Sequence, residues 1–104
     1  MLENLYKTLY NNDTEASVML SDENHPIFKA HFPSRPLLPG FVHFEIVSAL
    51  FGIEIIGIKK AKFTQMILPN ETLIYKKNKQ NFTVFANDKQ VANFSLEARL
   101  GSII

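Results

Sequence analysis

Eleven residues, Phe41 to Phe51 (FVHFEIVSALF), are apolar almost all the way round a helical projection, and they lie between Pro39-Gly40 and Gly52 in a chain of 104 residues. Proline before and glycine after are the start and stop signals of a helix, so the sequence predicts one from Gly40 to about Gly52. A helix with no wide polar face is normally buried, and here the rest of a short chain must wrap it. The length suits one domain over residues 1–104, and a 46% hydrophobic content suffices for one core. Nine Phe and no Trp suggest that flat apolar rings line that core or a cavity in it.

The segments after the helix carry strand signals. KAKFTQMIL at 60–68, ETLIYKK at 71–77, NFTVFA at 81–86 and QVANFSLEARL at 90–100 are each rich in strand-forming residues. In the last, Ala92, Phe94, Leu96 and Ala98 alternate with Asn93, Ser95, Glu97 and Arg99, which predicts one buried and one wet face. Asn87-Asp88 reads as a tight hairpin turn, because both residues tolerate left-handed backbone. Ahead of the helix, Glu15 to Leu20 reads as a strand with Ala16, Val18 and Leu20 on one face. Residues 2–10 have the spacing of a short helix. The expected fold is therefore α+β, one buried central helix wrapped by an antiparallel sheet.

Charge and cysteine content narrow the function. Eleven basic and ten acidic residues leave a formal charge of +1, too balanced for a broad nucleic-acid footprint. With no cysteine, disulfides, thiolate catalysis and thiolate metal sites are excluded. MLENLYKTLYNND lacks the basic start and long apolar run of a secretory leader. The longest apolar run, Ile46 to Ile58, is broken by Ser48 and Glu54 and is shorter than the ~20 residues of a membrane span. A soluble cytoplasmic protein is expected.

Three residues stand out chemically. Glu45 lies mid-helix among Phe41, Val42, Phe44, Ile46, Val47 and Ala49. It is either a costly buried carboxyl kept for a purpose or part of a narrow wet strip with Ser48. His31, between Phe28 and Phe32-Pro33, suits a general base as well as a hydrogen-bonded structural role. Gly40 is either a plain turn glycine or the place where unpaired amides at a helix start meet developing negative charge. His25 and His43 share no regular ligand spacing with His31, so no metal site is expected. By helical period His43 lies about 200° round from Glu45 and reads as a packing or pocket-edge residue.

Together these residues form a recognisable segment. HPIFKAHFPSRPLLPGFVHFE resembles the signature of the 3-hydroxyacyl-[acyl carrier protein] dehydratases, which have the hot-dog fold. His31-Phe32-Pro33, Pro36, Pro39-Gly40 and Glu45 fill every slot of that pattern, with histidine and acid fourteen residues apart. KAKFTQMILPNETL at 60–73 is similar to the family's strand ending in a Pro-Gly-Asp turn. The resemblance implies His31 as base, Glu45 as a general acid kept protonated by an apolar pocket, and the Gly40 N–H as oxyanion donor. It implies substrate contacts from Phe32, Pro39, Phe41, Ser48 and Ala49, and no cofactor or metal.

It further implies an acyl carrier protein docked near Arg35 and Lys29, with Lys59, Lys60 and Lys62 as further candidates. The assembly it implies is a homodimer or higher oligomer, with His31 of one chain facing Glu45 of the other. Three positions depart from the family: Ala30 for glycine, Ala49 for the glutamine one turn after the acid, and Pro69-Asn70-Glu71 for Pro-Gly-Asp. Ser48 is expected to take over part of that glutamine's role. The compact N-terminal region is closer to the dehydratases of polyene-type pathways. A hot-dog thioesterase and a non-catalytic acyl-binding or partner subunit are the alternatives.

Overall fold

Six strands and one helix make up the fold, in the order β1 (Tyr6–Asn11), β2 (Glu15–Leu20), a short 3₁₀ turn (Pro26–Lys29), α1 (Val42–Phe51), β3 (Ile53–Phe63), β4 (Thr72–Asn78), β5 (Asn81–Ala86) and β6 (Lys89–Leu100). The computed structural model describes residues 2–29 and 34–100, Leu100 by its backbone alone. Every strand pairing is antiparallel, and the strands run β1-β2-β4-β5-β6-β3 across one sheet.

The helix begins with bonds of the 3₁₀ type: the amides of Val42, His43 and Phe44 donate to the carbonyls of Pro39, Gly40 and Phe41. It stops where Gly52 takes left-handed backbone (φ 62°) and returns its N–H to the Ser48 carbonyl. Val42, His43, Ile46, Val47 and Leu50 are buried, packed into a core with Leu73, Tyr75, Phe82, Val84, Phe94 and Leu96 of the sheet. Burying each of those aliphatic side chains contributes about 1.5–3 kcal/mol. As expected, the antiparallel sheet wraps the buried side of the helix. The sheet covers one face, so Phe41, Glu45 and Ala49, four residues apart, form an exposed stripe.

The predicted strand at 15–20 is β2, and the 81–86 and 90–100 segments are β5 and β6 with the expected alternation. Asn87 and Asp88 both have positive φ (52° and 63°), as a two-residue hairpin turn of this type requires.

Two expectations are corrected. Residues 2–10 do not form a helix. Leu5 donates to Leu2 in a turn with Asn4 at φ 63°, and β1 then pairs with β2. Asn12 closes that hairpin, its side-chain oxygen accepting from the amides of Thr14 and Glu15. Sheet pairing outweighs the helical spacing of Leu2, Leu5, Tyr6 and Leu9. The third strand spans Ile53–Phe63 rather than 60–68. It is an edge strand, so Glu54, Gly57 and Lys59 sit where a buried strand would not admit them, and bulges beside Gly57 and Lys60 shift its register. Beyond Phe63 the chain leaves the sheet, and the Ile67 carbonyl accepts from Leu38, tying 64–68 to the start of α1.

Candidate active site

The chain entering α1 is held from both sides. Pro39 is buried, Leu38 is bonded to Ile67, and the Phe63 ring lies so close to Gly40 that a Cβ there would stand 3.1 Å from two of its carbons. Glycine at position 40 is therefore favoured by close approach to this ring rather than by a left-handed turn. Among the described residues no carbonyl accepts from its N–H. The amides of Val42, His43 and Phe44 are taken by the 3₁₀ bonds and do not join it as donors.

Just over one turn on, Glu45 is exposed in the single chain, on the wet strip with Ser48 that is one of the two readings of it. It lies with Phe44, Ser48, Glu54 and Ile55 around an open depression of about 320 Å³. The sheet packs against the opposite face of the helix, so the single chain leaves this carboxyl in water. Ser48 shares the depression, but its hydroxyl donates to the Ile53 carbonyl at 2.6 Å. Its proton is thus unavailable to Glu45, and only its lone pairs could serve a protonated acid. Glu54 is engaged by Arg99, whose Nε donates at 2.9 Å.

Of the other predicted site residues, Phe41 and Ala49 flank Glu45 on the exposed stripe, whereas Pro39 is buried beneath the turn. Arg35 and Lys29 are exposed, as are Lys59, Lys60 and Lys62, with Lys59 donating to Gln80 at 3.2 Å. His31 and Phe32, the predicted base and its neighbour, lie outside the described residues, as does Ala30. Pro69-Asn70-Glu71 forms the expected turn, with Asn70 at φ 67° and the Glu71 carboxylate accepting from Leu68.

Gly40 faces a different depression, of about 290 Å³, lined by Leu37, Leu38, Phe63, Met66 and Ile67 together with His43. His43 is 2% exposed. Its Nδ1 lies 2.8 Å from the hydroxyl of fully buried Tyr75, and its ring stacks on Phe63 and Phe94. Burial pushes this imidazole down to about 4, so it is neutral near pH 7. A packing or pocket-edge role is what the sequence suggests for it, and the structure gives it both, with Tyr75 as a partner that local sequence does not reveal. His25 is structural: Nδ1 accepts from the Ile27 amide and Nε2 meets the Glu3 carbonyl. Among the described residues no cluster of ligating side chains could hold a metal, and no helix is long and apolar enough to cross a membrane.

Residues 8–97 match the ApeI-like family, described as ApeI dehydratase. A 3-hydroxyacyl-[acyl-carrier-protein] dehydratase FabZ from Clostridium acetobutylicum is 30% identical over 63 residues, covering 48% of this chain and 45% of that one. The same enzyme from Lawsonia intracellularis is 28% identical over 102 residues, covering 74% and 67%. The chain spans under half of the first curated relatives it matches, and 14% of the bifunctional LpxC/FabZ enzyme of Chlorobaculum tepidum. Among solved structures, the dehydratase heterocomplex ApeI:P from Xenorhabdus doucetiae superposes with a TM-score of 0.68 at 21% identity, over 89% of this chain and 96% of that one. These likenesses identify the fold as hot-dog.

Proposed function

The chain belongs to the ApeI-like dehydratase family, and from that premise we propose that it removes water from 3-hydroxyacyl groups carried as thioesters on an acyl carrier protein, giving trans-2-enoyl thioesters. The observation that carries the reading is the Gly40 amide. It stands without a backbone partner among the described residues at the start of the helix that presents Glu45 just over a turn later. The chemistry needs both a donor and an acid, and since the two open onto different depressions of the single chain, the second subunit must complete the site. His31 removes the α-proton, the Gly40 N–H holds the enolate charge on the thioester oxygen, and Glu45 protonates the departing 3-hydroxyl, which leaves as water.

Glu45 must be protonated to act as the acid, and an apolar surround favours that form. Since the single chain leaves it exposed, the surround is assigned to a second subunit laid over the Phe41/Glu45/Ala49 stripe, in a homodimer with His31 of one chain facing Glu45 of the other. Phe32 and Ser48 complete the acyl contacts, with buried Pro39 supporting the turn from beneath. Arg35 and Lys29, both exposed, suit docking of an acidic carrier protein, and charge reversal there should weaken carrier-bound substrate more than a small thioester. The reaction needs no metal or organic cofactor, and its setting is the cytoplasm, in fatty-acid or polyene-type synthesis.

Incubation with a 3-hydroxyacyl carrier-protein thioester, followed by mass spectrometry, tests the reading. Loss of water is the expected result. Release of free acid would replace it with a thioesterase. Unchanged substrate would assign the chain to a non-catalytic partner subunit, a role that Ala49 in place of the positioning glutamine and the heteromeric ApeI:P neighbour make the second reading.

A further inference from the structure

The His43–Tyr75 pair has a defined polarity. Tyr75 is fully buried, and its hydroxyl meets no acceptor other than His43 Nδ1 among the described residues. A buried O–H left without an acceptor is costly, so the tyrosine donates and Nδ1 accepts. In the neutral ring the proton must then sit on Nε2.

That Nε2–H has no partner among the described residues, yet it is not sealed in. The one side-chain polar atom among them that is both fully occluded and unpaired is Ser21 Oγ. The open space His43 borders is the depression it shares with Gly40. Helical side chains lean toward the helix N-terminus, which carries the ring of residue 43 back over the turn that begins at residue 40. The Phe63 ring bears this out, stacking on the imidazole at 6.0 Å between centroids while touching the face of Gly40. The depression therefore has the Gly40 amide and the His43 ring within a mainly apolar wall, to which the exposed Gln65 side chain also contributes. The Thr64 hydroxyl is already spent on the Gln90 carbonyl.

We infer that His43 Nε2–H, held in that tautomer by Tyr75, is a second substrate-binding donor that takes the carbonyl oxygen of the acyl thioester together with the Gly40 amide. The inference rests on the thioester substrate proposed above. Tyr75 acts through His43 and is a positioning residue. Because the imidazole is neutral, it donates without supplying a proton, and its contribution is polarisation of the carbonyl.

Nitrogen-15 NMR of the histidine-labelled protein near pH 7 tests this. The His43 ring should show the Nε2–H tautomer. S-butyryl-N-acetylcysteamine should move the Nε2–H proton downfield, whereas the S-butyl thioether, which lacks the acyl carbonyl, should not. An Nδ1–H tautomer, equal shifts with both compounds, or no shift with the thioester would each overturn the inference. If carrier-bound substrate is dehydrated while the thioester leaves His43 unmoved, this inference alone fails. If His43 responds but no water is lost, the dehydratase reading fails instead. In turnover, the double variant His43→Phe, Tyr75→Phe, which leaves no orphan polar atom, should lower kcat/KM by roughly two- to tenfold, the scale of one neutral hydrogen bond. An unchanged kcat/KM in a folded double variant would also overturn it.

Discussion

His43 shows how one buried side chain ties stability to chemistry. Its imidazole takes up a proton only near pH 4 in the folded protein, against an ordinary 6.5. Between those values the unfolded chain binds a proton that the native state does not. Stability is thus fully present above about 6.5 and is lost as pH falls toward 4, at about 1.4 kcal/mol per unit. Urea unfolding at pH 7 and pH 5 should show wild type losing roughly 2 kcal/mol more than the His43→Phe, Tyr75→Phe variant. Equal losses would mean that His43 titrates normally. At Gly40 the constraint is steric: Gly40→Ala places a methyl 3.1 Å from the Phe63 ring. Because that ring is 47% exposed and can give way, the expected cost is only about 1 kcal/mol in thermal melting, relieved by Phe63→Leu.

At the scale of elements, the ends of α1 and the hairpins depend on backbone that few residues tolerate. Gly52→Ala should cost about 1 kcal/mol, because φ is 62° there although nothing crowds the missing Cβ. Asp88→Gly should act the other way, adding about 0.5 kcal/mol, since position 88 has φ 63° and glycine meets no penalty there. Both are read by chemical denaturation. A stabilised Gly52→Ala or a destabilised Asp88→Gly would show that these backbone angles do not govern the turns. Neither substitution should alter the depression at Gly40.

Across the whole molecule, both the helix stripe and the outer edge of β3 are left uncovered in the single chain. Ile56 and Ile58 are 57% and 52% exposed on an edge strand, an arrangement that isolated proteins usually blunt with charge. If the proposed homodimer uses this edge, Ile58→Lys should shift the protein to monomer in sedimentation and abolish dehydration. Dimer retained in that variant would place the interface elsewhere. Mixing and refolding His31→Ala with Glu45→Ala tests the shared site. A mixed dimer has one doubly mutated and one intact site, so random pairing should restore roughly a quarter of wild-type activity. Mixed dimers confirmed by native mass spectrometry yet inactive would exclude it.

Local chemistry was enough to determine several features of this chain. The helix between Pro39 and Gly52, the buried Ala16/Val18/Leu20 face of β2, the alternation along β6, the Asn87-Asp88 turn and the dehydratase signature through Glu45 all follow from local sequence. Edge position was not legible. β1 and β3 each pair along only one side, so Leu5 to Tyr10 and Glu54 to Lys59 need not follow the pattern of a covered strand. The surroundings of Glu45 and His43 were likewise decided in tertiary structure. The helix shows its two faces to different neighbours: the sheet buries His43 against Tyr75, 32 residues away, and leaves Glu45 in water. Spacing along a helix sets which residues share a face, but only the packed sheet decides which face is dry.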